Sequence, residues 1–500
     1  MAPTTNVLLI TADQWRGDCL SGAGHSLVRT PHLDDLAAGG AAFRAHFAQA
    51  APCGPSRASL YTGMYLMNHR SVSNGTPLDA RHDNVALVAR RLGYAPALFG
   101  YTDTSVDPRT CEPDDPRLHE YEGVLPGLDP VCHLPEGAPR AWLAWLESQG
   151  VDVPQDWREF ANRPARGTRW RTRYEAKHSQ TAFLTERFLE WVSAQRGTWF
   201  AHLSFLRPHP PFLAPAPYDT MFDADAAPDP VRAPGRAEEA EQHPLLGVMI
   251  DHPLLKSPDD ARQQRELQAT YFGMIAEVDD QLGRIFAWLD ENGQADRTLV
   301  VFTSDHGENL GDHWMLHKLA WFDSSYRVPL IVRGPRVAAG VVVDAFTEHV
   351  DVLPTLCELL DADVPLQCDG RSLGPWLGGR DPGDWRDDVH FEFDFRDPDS
   401  PLLEDAFGLT LEECALAVLR DAHGKYVQFS GHPMLPSIFF DLDADPAQLR
   451  NVALDPAYAP RVLEYAQRML AWRMQHTERT LTGMKLTHHA GLVRRDAPRR

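Results

Sequence analysis

Asn6-Val7-Leu8-Leu9-Ile10-Thr11-Ala12-Asp13 is an unbroken apolar run that stops on an acid. Such a run reads as a strand buried on both faces, the habit of parallel sheets. Asp13 then falls at the strand's carboxyl end, where open α/β sheets place their ligands. The pattern returns in Thr298-Leu299-Val300-Val301-Phe302-Thr303-Ser304-Asp305, followed at once by His306. Further apolar runs at 95–101, 198–205 and 328–332 alternate with helical spacing at 180–194 and 264–292. Strand–helix alternation of this kind predicts a doubly wound α/β sheet. Two distant strand tips, Asp13-Gln14 and Asp305-His306, converge on one edge of such a sheet. Two carboxylates, an amide oxygen and an imidazole suit a divalent cation, Mn²⁺ or Ca²⁺ before Zn²⁺. Strand-end acids that only cap turns are the plainer reading of each pair alone.

A second stretch, Ala51-Pro52-Cys53-Gly54-Pro55-Ser56-Arg57, reads as a loop turning into a helix, with Pro55 preset for the first turn. Cys53 sits at the helix mouth, where free N–H groups favour negative charge. Arg57, one turn on, adds a fixed cation. A nucleophile beside a cation at a helix start suits an anionic ester. From the residues alone Cys53 is an inert core residue, an activated thiolate or a precursor of a modified nucleophile.

Composition narrows the function classes. The chain has 500 residues, 43% hydrophobic and 24% charged, and a formal net charge of −22. That balance is ordinary for a globular protein and argues against nucleic acid, whose backbone needs a basic face. No apolar run spans a bilayer, and the N-terminus lacks a signal-peptide pattern. Seven scattered cysteines without CxxC pairs favour a reduced, cytoplasmic setting.

Cys53-x-Pro55-Ser56-Arg57, with Thr62-Gly63 after it, resembles the sulfatase signature of the alkaline phosphatase superfamily. Asp13-Gln14-Trp15-Arg16, the 65–70 stretch, Arg207-Pro208-His209-Pro210-Pro211-Phe212 and Thr303-Ser304-Asp305-His306-Gly307-Glu308 extend the likeness over nearly the whole chain, toward the phosphonate monoester hydrolase and arylsulfatase branch. The resemblance implies a large, mixed, mostly parallel sheet flanked by helices. It also implies conversion of Cys53 to formylglycine by a formylglycine-generating or equivalent maturation enzyme. One hydroxyl of the hydrated aldehyde attacks sulfur or phosphorus, and the other expels the acid by re-forming the aldehyde.

On the same resemblance the metal ligands are Asp13, Gln14, Asp305, His306 and the group at Cys53, and the catalytic residues are Cys53, Arg57, His209 and Lys318. Gln14 and His306 stand where many sulfatases carry Asp and Asn, which matches this branch and tilts the metal toward Mn²⁺. Lys318 holds a non-bridging oxygen, and His209 is the acid at the leaving group. Asn74, Tyr101 and Asp103 line the substrate's charged oxygens, with Asp103 where relatives carry Thr. The expected reaction is hydrolysis of mono-anionic esters: aryl sulfates, with overlapping phosphonate monoesters and phosphodiesters. A dedicated phosphonate monoester hydrolase is the alternative. A phosphomutase, which uses Ser or Thr and a second metal, and a non-catalytic metal-binding protein are the rivals.

The expected organisation is a catalytic domain over 1–383, a small antiparallel α+β subdomain over 384–474, and a polar tail over 475–500, disordered or reaching to a neighbour. A homodimer or homotetramer fits the acidic surface and the tail. Residues 103–172 read as an irregular insertion with one helix near 141–147, and 214–241 as a Pro-rich surface loop or lid.

Overall fold

The computed structural model describes residues 3–161, 163–164 and 170–494. Its strands are β1 (Asn6–Ala12), β2 (Ala41–Phe47), β3 (Ala50–Ala51), β4 (Ala97–Gly100), β5 (Asp129–His133), β6 (Arg163–Pro164), β7 (Trp170–Arg171), β8 (Phe200–Phe205), β9 (Thr298–Thr303), β10 (Arg327–Arg333), β11 (Val341–Glu348), β12 (Asp388–Asp394), β13 (Ala415–Asp421), β14 (Gly424–Phe429), β15 (Ile438–Asp441), β16 (Met484–Thr487) and β17 (Gly491–Arg494). Eight of them form the main sheet, in the order β11-β2-β10-β9-β1-β8-β4-β5. All run one way except β10, which is antiparallel to β9 and β2.

The central strands β1, β8 and β9 are buried at every residue, as their apolar runs require of a sheet covered on both faces. Helix Ala261–Glu291 covers one face through Tyr271, Met274, Ile275, Val278 and Leu282. Register fixes the functional edge. Thr11 of β1 pairs with Thr303 of β9 and with Ser204 of β8. Asp13 and Asp305 each lie two residues past that pair and therefore emerge side by side.

The second sheet has the order β15-β14-β13-β12-β3. Its strand β3 comes from the segment immediately before Cys53 and pairs in parallel with β12, and Glu392 N donates to Gln49 O at 2.9 Å. The C-terminal sheet therefore grips the chain two residues upstream of the candidate nucleophile. One apolar cluster, including Phe47, Ala51, Phe391 and Phe393, spans both units.

Three expectations are corrected. Residues 103–172 contain, besides helix Arg140–Ser148, a strand of the main sheet, β5 at its edge. Residues 214–241 are not a surface loop: Ala214, Tyr218, Phe222 and Ala227 are buried in the core that includes helix Ala261–Glu291, and Arg236–Ala240 is helical. The terminal helix runs Ala459–His476, and β16 and β17 form a hairpin within the tail. The remainder of the tail, 495–500, lies outside the described residues. Among the described residues no helix is long and apolar enough to cross a membrane.

Candidate active site

The site is built at the carboxyl edge of β1, β8 and β9, under the mouth of helix Cys53–Thr62. Every residue of that helix is buried. Asn74 Oδ1 accepts from Gly54 N at 2.8 Å, satisfying one N–H that the helix start leaves unpaired. A Cβ at Gly54 would stand 3.2 Å from that oxygen and 3.3 Å from Asp103 O, so the approach is tight. The helix ends on Gly63 at φ 69°, a left-handed position that favours glycine. Ser56 Oγ donates to Asp305 O, tying the helix to the tip of β9.

Ligand atoms of Asp13, Cys53, Asp305 and His306 lie within 4.8 Å of one another, all buried. His306 Nδ1 sits 3.0 Å from Gly307 O, which assigns it the proton and leaves the Nε2 lone pair facing the site. That nitrogen lies 3.2 Å from Cys53 Sγ and 3.8 Å from an oxygen of each of Asp13 and Asp305. Gln14, at φ 66°, donates its N–H to Asp305 Oδ1 at 3.1 Å, and its side-chain amide donates to Glu308. Its Oε1 therefore turns inward, where Lys318 Nζ reaches it at 2.8 Å. Two carboxylates, an unprotonated imidazole nitrogen and an amide oxygen around one point fit a divalent cation. A second acidic group, His32, Asp279 and Asp280, has a structural use: Asp279 accepts from the N–H groups of His32 and Leu33 at the start of helix Pro31–Ala38.

Arg57, read from sequence as a cation for an anionic ester, spends its donors on protein groups instead. Nε donates to Asp305 Oδ2 at 2.9 Å, Nη2 to Asp13 Oδ2 at 3.0 Å, and Nη1 to Ser204 Oγ at 2.8 Å and Tyr101 O at 3.2 Å. It bridges the two acids, with its guanidinium 4.5 Å from the centre of the Tyr101 ring. Tyr101 OH donates to Asp13. Burial opposes ionisation of Asp13, but Arg57, His306 and Lys318 outweigh it and hold the carboxyl down at about 2. Burial, then Asp13, pushes the Cys53 thiol well above its ordinary value, so an unmodified Cys53 is a neutral thiol here.

Lys318 Nζ also lies 3.1 Å from His209 Nε2, while His209 Nδ1 is 2.7 Å from Pro210 O. His209 thus donates through Nδ1 and accepts through Nε2. Burial, then Lys318, holds it well below the usual histidine range. Despite burial, Asp13 and Asp305 keep Lys318 protonated. Asp103, at φ 47°, stands 3.9 Å from Arg57 Nε. Burial pushes its carboxyl up to about 8 against the pull of Arg57.

A sulfatase family profile matches residues 5–362. The chain belongs to the sulfatase family. A profile for the C-terminal part of N-sulphoglucosamine sulphohydrolase matches residues 311–475. The chain is 43% identical, over 95% of its length and 96% of the relative's, to the multifunctional alkaline phosphatase superfamily protein PehA of Trinickia caryophylli. An arylsulfatase of Clostridium perfringens is 26% identical, over 96% of this chain and 97% of its own. The crystal structure of the phosphonate monoester hydrolase of Agrobacterium radiobacter superimposes with a TM-score of 0.94 at 47% identity, covering 99% of this chain and 100% of that one.

In this chain the positions read from sequence meet around one point: Asp13, Gln14, Cys53, Arg57, Tyr101, Asp103, Asp305, His306 and Lys318, with His209 at Lys318 and Asn74 at the helix mouth. Sequence reading missed Ser204, whose Oγ accepts from Arg57 and Thr11. Its place beside Thr11 at the end of an apolar strand was the available signal. It also missed Glu136, whose Oε1 is 3.6 Å from His209 Nδ1. Burial, then Asp13, pushes the Glu136 carboxyl up to about 7. Glu136 lies in the irregular insertion, where no pattern marks it.

Proposed function

We propose that this chain hydrolyses mono-anionic esters at sulfur or phosphorus, as a sulfatase-type enzyme that also takes phosphonate monoesters and phosphodiesters, with a formylglycine made from Cys53 as nucleophile. The observation that carries this reading is the placement of position 53 between His306 Nε2 at 3.2 Å and Asp13 Oδ1 at 3.9 Å, inside a ring of buried ligand atoms. Asp13, Gln14, Asp305, His306 and the group at 53 would hold one divalent cation, Mn²⁺ or Ca²⁺. When bound, the cation and the hydrated aldehyde supply a hydroxyl of lowered pKa for attack and a second hydroxyl for release of the acid.

The chain's own residues do the rest. Arg57 fixes the two carboxylates in register. Lys318 points its ammonium into the pocket, where it pairs with an anionic substrate oxygen. Asp103, protonated at neutral pH by its burial, donates to a second oxygen and disfavours a dianion once ionised. Asn74 and Tyr101 close the same side. His209, sharing a proton with Lys318, serves the departing alkoxide. Most of the site is shielded from water, which strengthens each of these interactions.

The higher identity to phosphonate monoester hydrolases than to arylsulfatases supports a second reading, a dedicated phosphonate monoester hydrolase. We further propose a reduced, cytoplasmic setting, supported by seven cysteines none of which is paired in a disulfide, maturation by a formylglycine-generating or equivalent enzyme, and a homodimer or homotetramer. The test is peptide mass spectrometry over Cys53 together with rates on 4-nitrophenyl sulfate and a phenyl phosphonate monoester with Mn²⁺ or Ca²⁺. No turnover of either ester by converted, metal-loaded protein overturns the proposal.

A further inference from the structure

Arg207 follows β8 and opens the segment Arg207-Pro208-His209-Pro210-Pro211. It is buried, and its guanidinium is used unusually: Nη1 donates to His209 O at 2.7 Å and to Pro211 O at 3.0 Å. One cation therefore pins the backbone at the histidine that faces Lys318 and again two residues after it. Behind it stands Glu277, on helix Ala261–Glu291, with its carboxyl buried and coupled electrostatically to Arg207. Tyr174 is coupled to both. The far side of the His209 segment is thus tied to Arg207, whose charge Glu277 and Tyr174 feel inside the core. The near side leads through His209 Nε2 to Lys318 Nζ at 3.1 Å and on to Gln14 Oε1 at 2.8 Å.

A histidine whose Nδ1 is committed to a neighbouring carbonyl can serve a leaving oxygen only through Nε2. Its reach is then set by the backbone that carries it. The segment holds three prolines, so its own N–H groups contribute few internal hydrogen bonds. The two carbonyls clamped by Arg207 join the bond from His209 N to Leu206 O, at 2.9 Å, in fixing it. We infer that Arg207 is a positioning residue for His209: by holding the carbonyls of His209 and Pro211 it sets the Nε2–Lys318 contact, and through it the delivery of a proton to the departing oxygen. The inference rests on the ester-hydrolase reading above.

The bond that breaks is the one between sulfur or phosphorus and the leaving oxygen. The proton goes to that oxygen from the Lys318–His209 pair. A defect in this step grows with leaving-group basicity, because a weakly basic phenolate departs without help. General acid assistance contributes about 10²–10⁴-fold, and misplacing the group by ~1 Å removes on the order of 10²-fold.

The experiment measures kcat and KM of metal-loaded, Cys53-converted enzyme on a series of aryl phosphonate monoesters of graded phenol pKa. The variants are Arg207→Gln, Arg207→Lys, Glu277→Gln, His209→Ala and the Arg207→Gln/His209→Ala double variant. For Arg207→Gln the expected result is a kcat lowered about 10²-fold on the most basic phenol and under about threefold on the least basic. KM stays within about threefold, and Arg207→Lys recovers part of the loss. Glu277→Gln shows the same slope change more weakly and keeps the test open if Arg207→Gln fails to fold. The double variant falls no further than His209→Ala. A uniform loss across the series, or additive losses in the double variant, overturns the inference and leaves Arg207 structural. A wild-type enzyme inactive on the whole series and on 4-nitrophenyl sulfate would instead overturn the hydrolase reading itself.

Discussion

Arg57 Nε and Asp305 Oδ2 meet at 2.9 Å with both side chains wholly shielded from solvent. The same guanidinium also neutralises Asp13, so removing it leaves two buried carboxylates facing each other. Breaking a buried pair from one side costs about 3–5 kcal/mol. Arg57→Met should lose stability of that order in chelator-treated protein, and less in Mn²⁺, because a bound cation restores the missing charge. Arg57→Lys keeps the charge but not the fork that spans both acids. It should fold and lose most of its activity. Thermal unfolding with and without chelator, beside ester turnover, reads both outcomes. Equal destabilisation of Arg57→Met in the two conditions would argue against a shared charge.

His306 offers the only imidazole nitrogen in the Asp13, Cys53, Asp305 and His306 group. Mn²⁺ at about 100 times its Kd should stabilise the native protein by about 2.7 kcal/mol. His306→Ala should shift the midpoint of that titration to higher Mn²⁺ and lower turnover, while Asp18→Asn, at an acid outside the ligand ring, should do neither. Differential scanning fluorimetry across a metal titration measures this. A midpoint unmoved in His306→Ala would remove it from the ligand set.

Any fraction of the protein whose Cys53 escapes conversion carries a thiol that burial and Asp13 hold protonated. Raising the pH to about 8.5, where free cysteines ionise, should leave it unalkylated by iodoacetamide, while the partly exposed Cys111 reacts. Peptide mapping after alkylation shows which. Rapid labelling of Cys53 at neutral pH would revive the thiolate reading.

The strand tips were legible because buried parallel strands leave apolar runs, and a run ending on Asp twice names one edge. The register that sets Thr11 opposite Thr303 was not legible, though it brings the two acids together. β5 escaped because Asp129-Pro130-Val131-Cys132-His133 carries a proline, which demotes a strand. The structure tolerates it because β5 is the sheet edge. The 214–241 segment misled through its prolines: composition suggested a surface loop, while Tyr218 and Phe222 pack into the core under it. Arg57 was read as a substrate cation because helix spacing predicts which residues are neighbours, not where a long side chain ends.

Asp369 accepts from Tyr65 N at 2.9 Å and Asn68 Nδ2 at 2.8 Å, and burial pushes its carboxyl up to about 6. The folded chain therefore keeps a proton that the unfolded chain has released between about pH 4 and 6. Stability falls as pH rises through that window and stays lower above it. Asp369→Asn cannot ionise. Its advantage over the native protein should grow from nothing near pH 4 to as much as about 3 kcal/mol above pH 6. Urea midpoints of both proteins at pH 4, 5, 7 and 8 read the sign. An advantage independent of pH would show that ionisation of Asp369 is not its source.

Leu463, Leu470 and Met474 recur at helical spacing on helix Ala459–His476 and are 59%, 61% and 74% exposed. Beyond them Leu486 and Leu492, paired across the β16–β17 hairpin, are 81% and 59% exposed. A two-stranded hairpin with bare leucines is marginal in water on its own, and an exposed apolar stripe on the helix asks for a cover. The arm is locally basic, with Arg479, Lys485 and Arg494, on a chain of net charge −22. The homodimer or homotetramer proposed above would supply the complementary surface, a second copy of the same acidic chain. Ending the chain after Thr477 keeps the helix and its Asn68–His476 tie at 2.6 Å, and removes only the arm. The truncated protein should shift to a smaller assembly in light scattering coupled to size exclusion, with turnover per chain retained. High salt should weaken the full-length assembly, since part of the attraction is between exposed charges. An unchanged mass after truncation would remove the arm as a contact between copies.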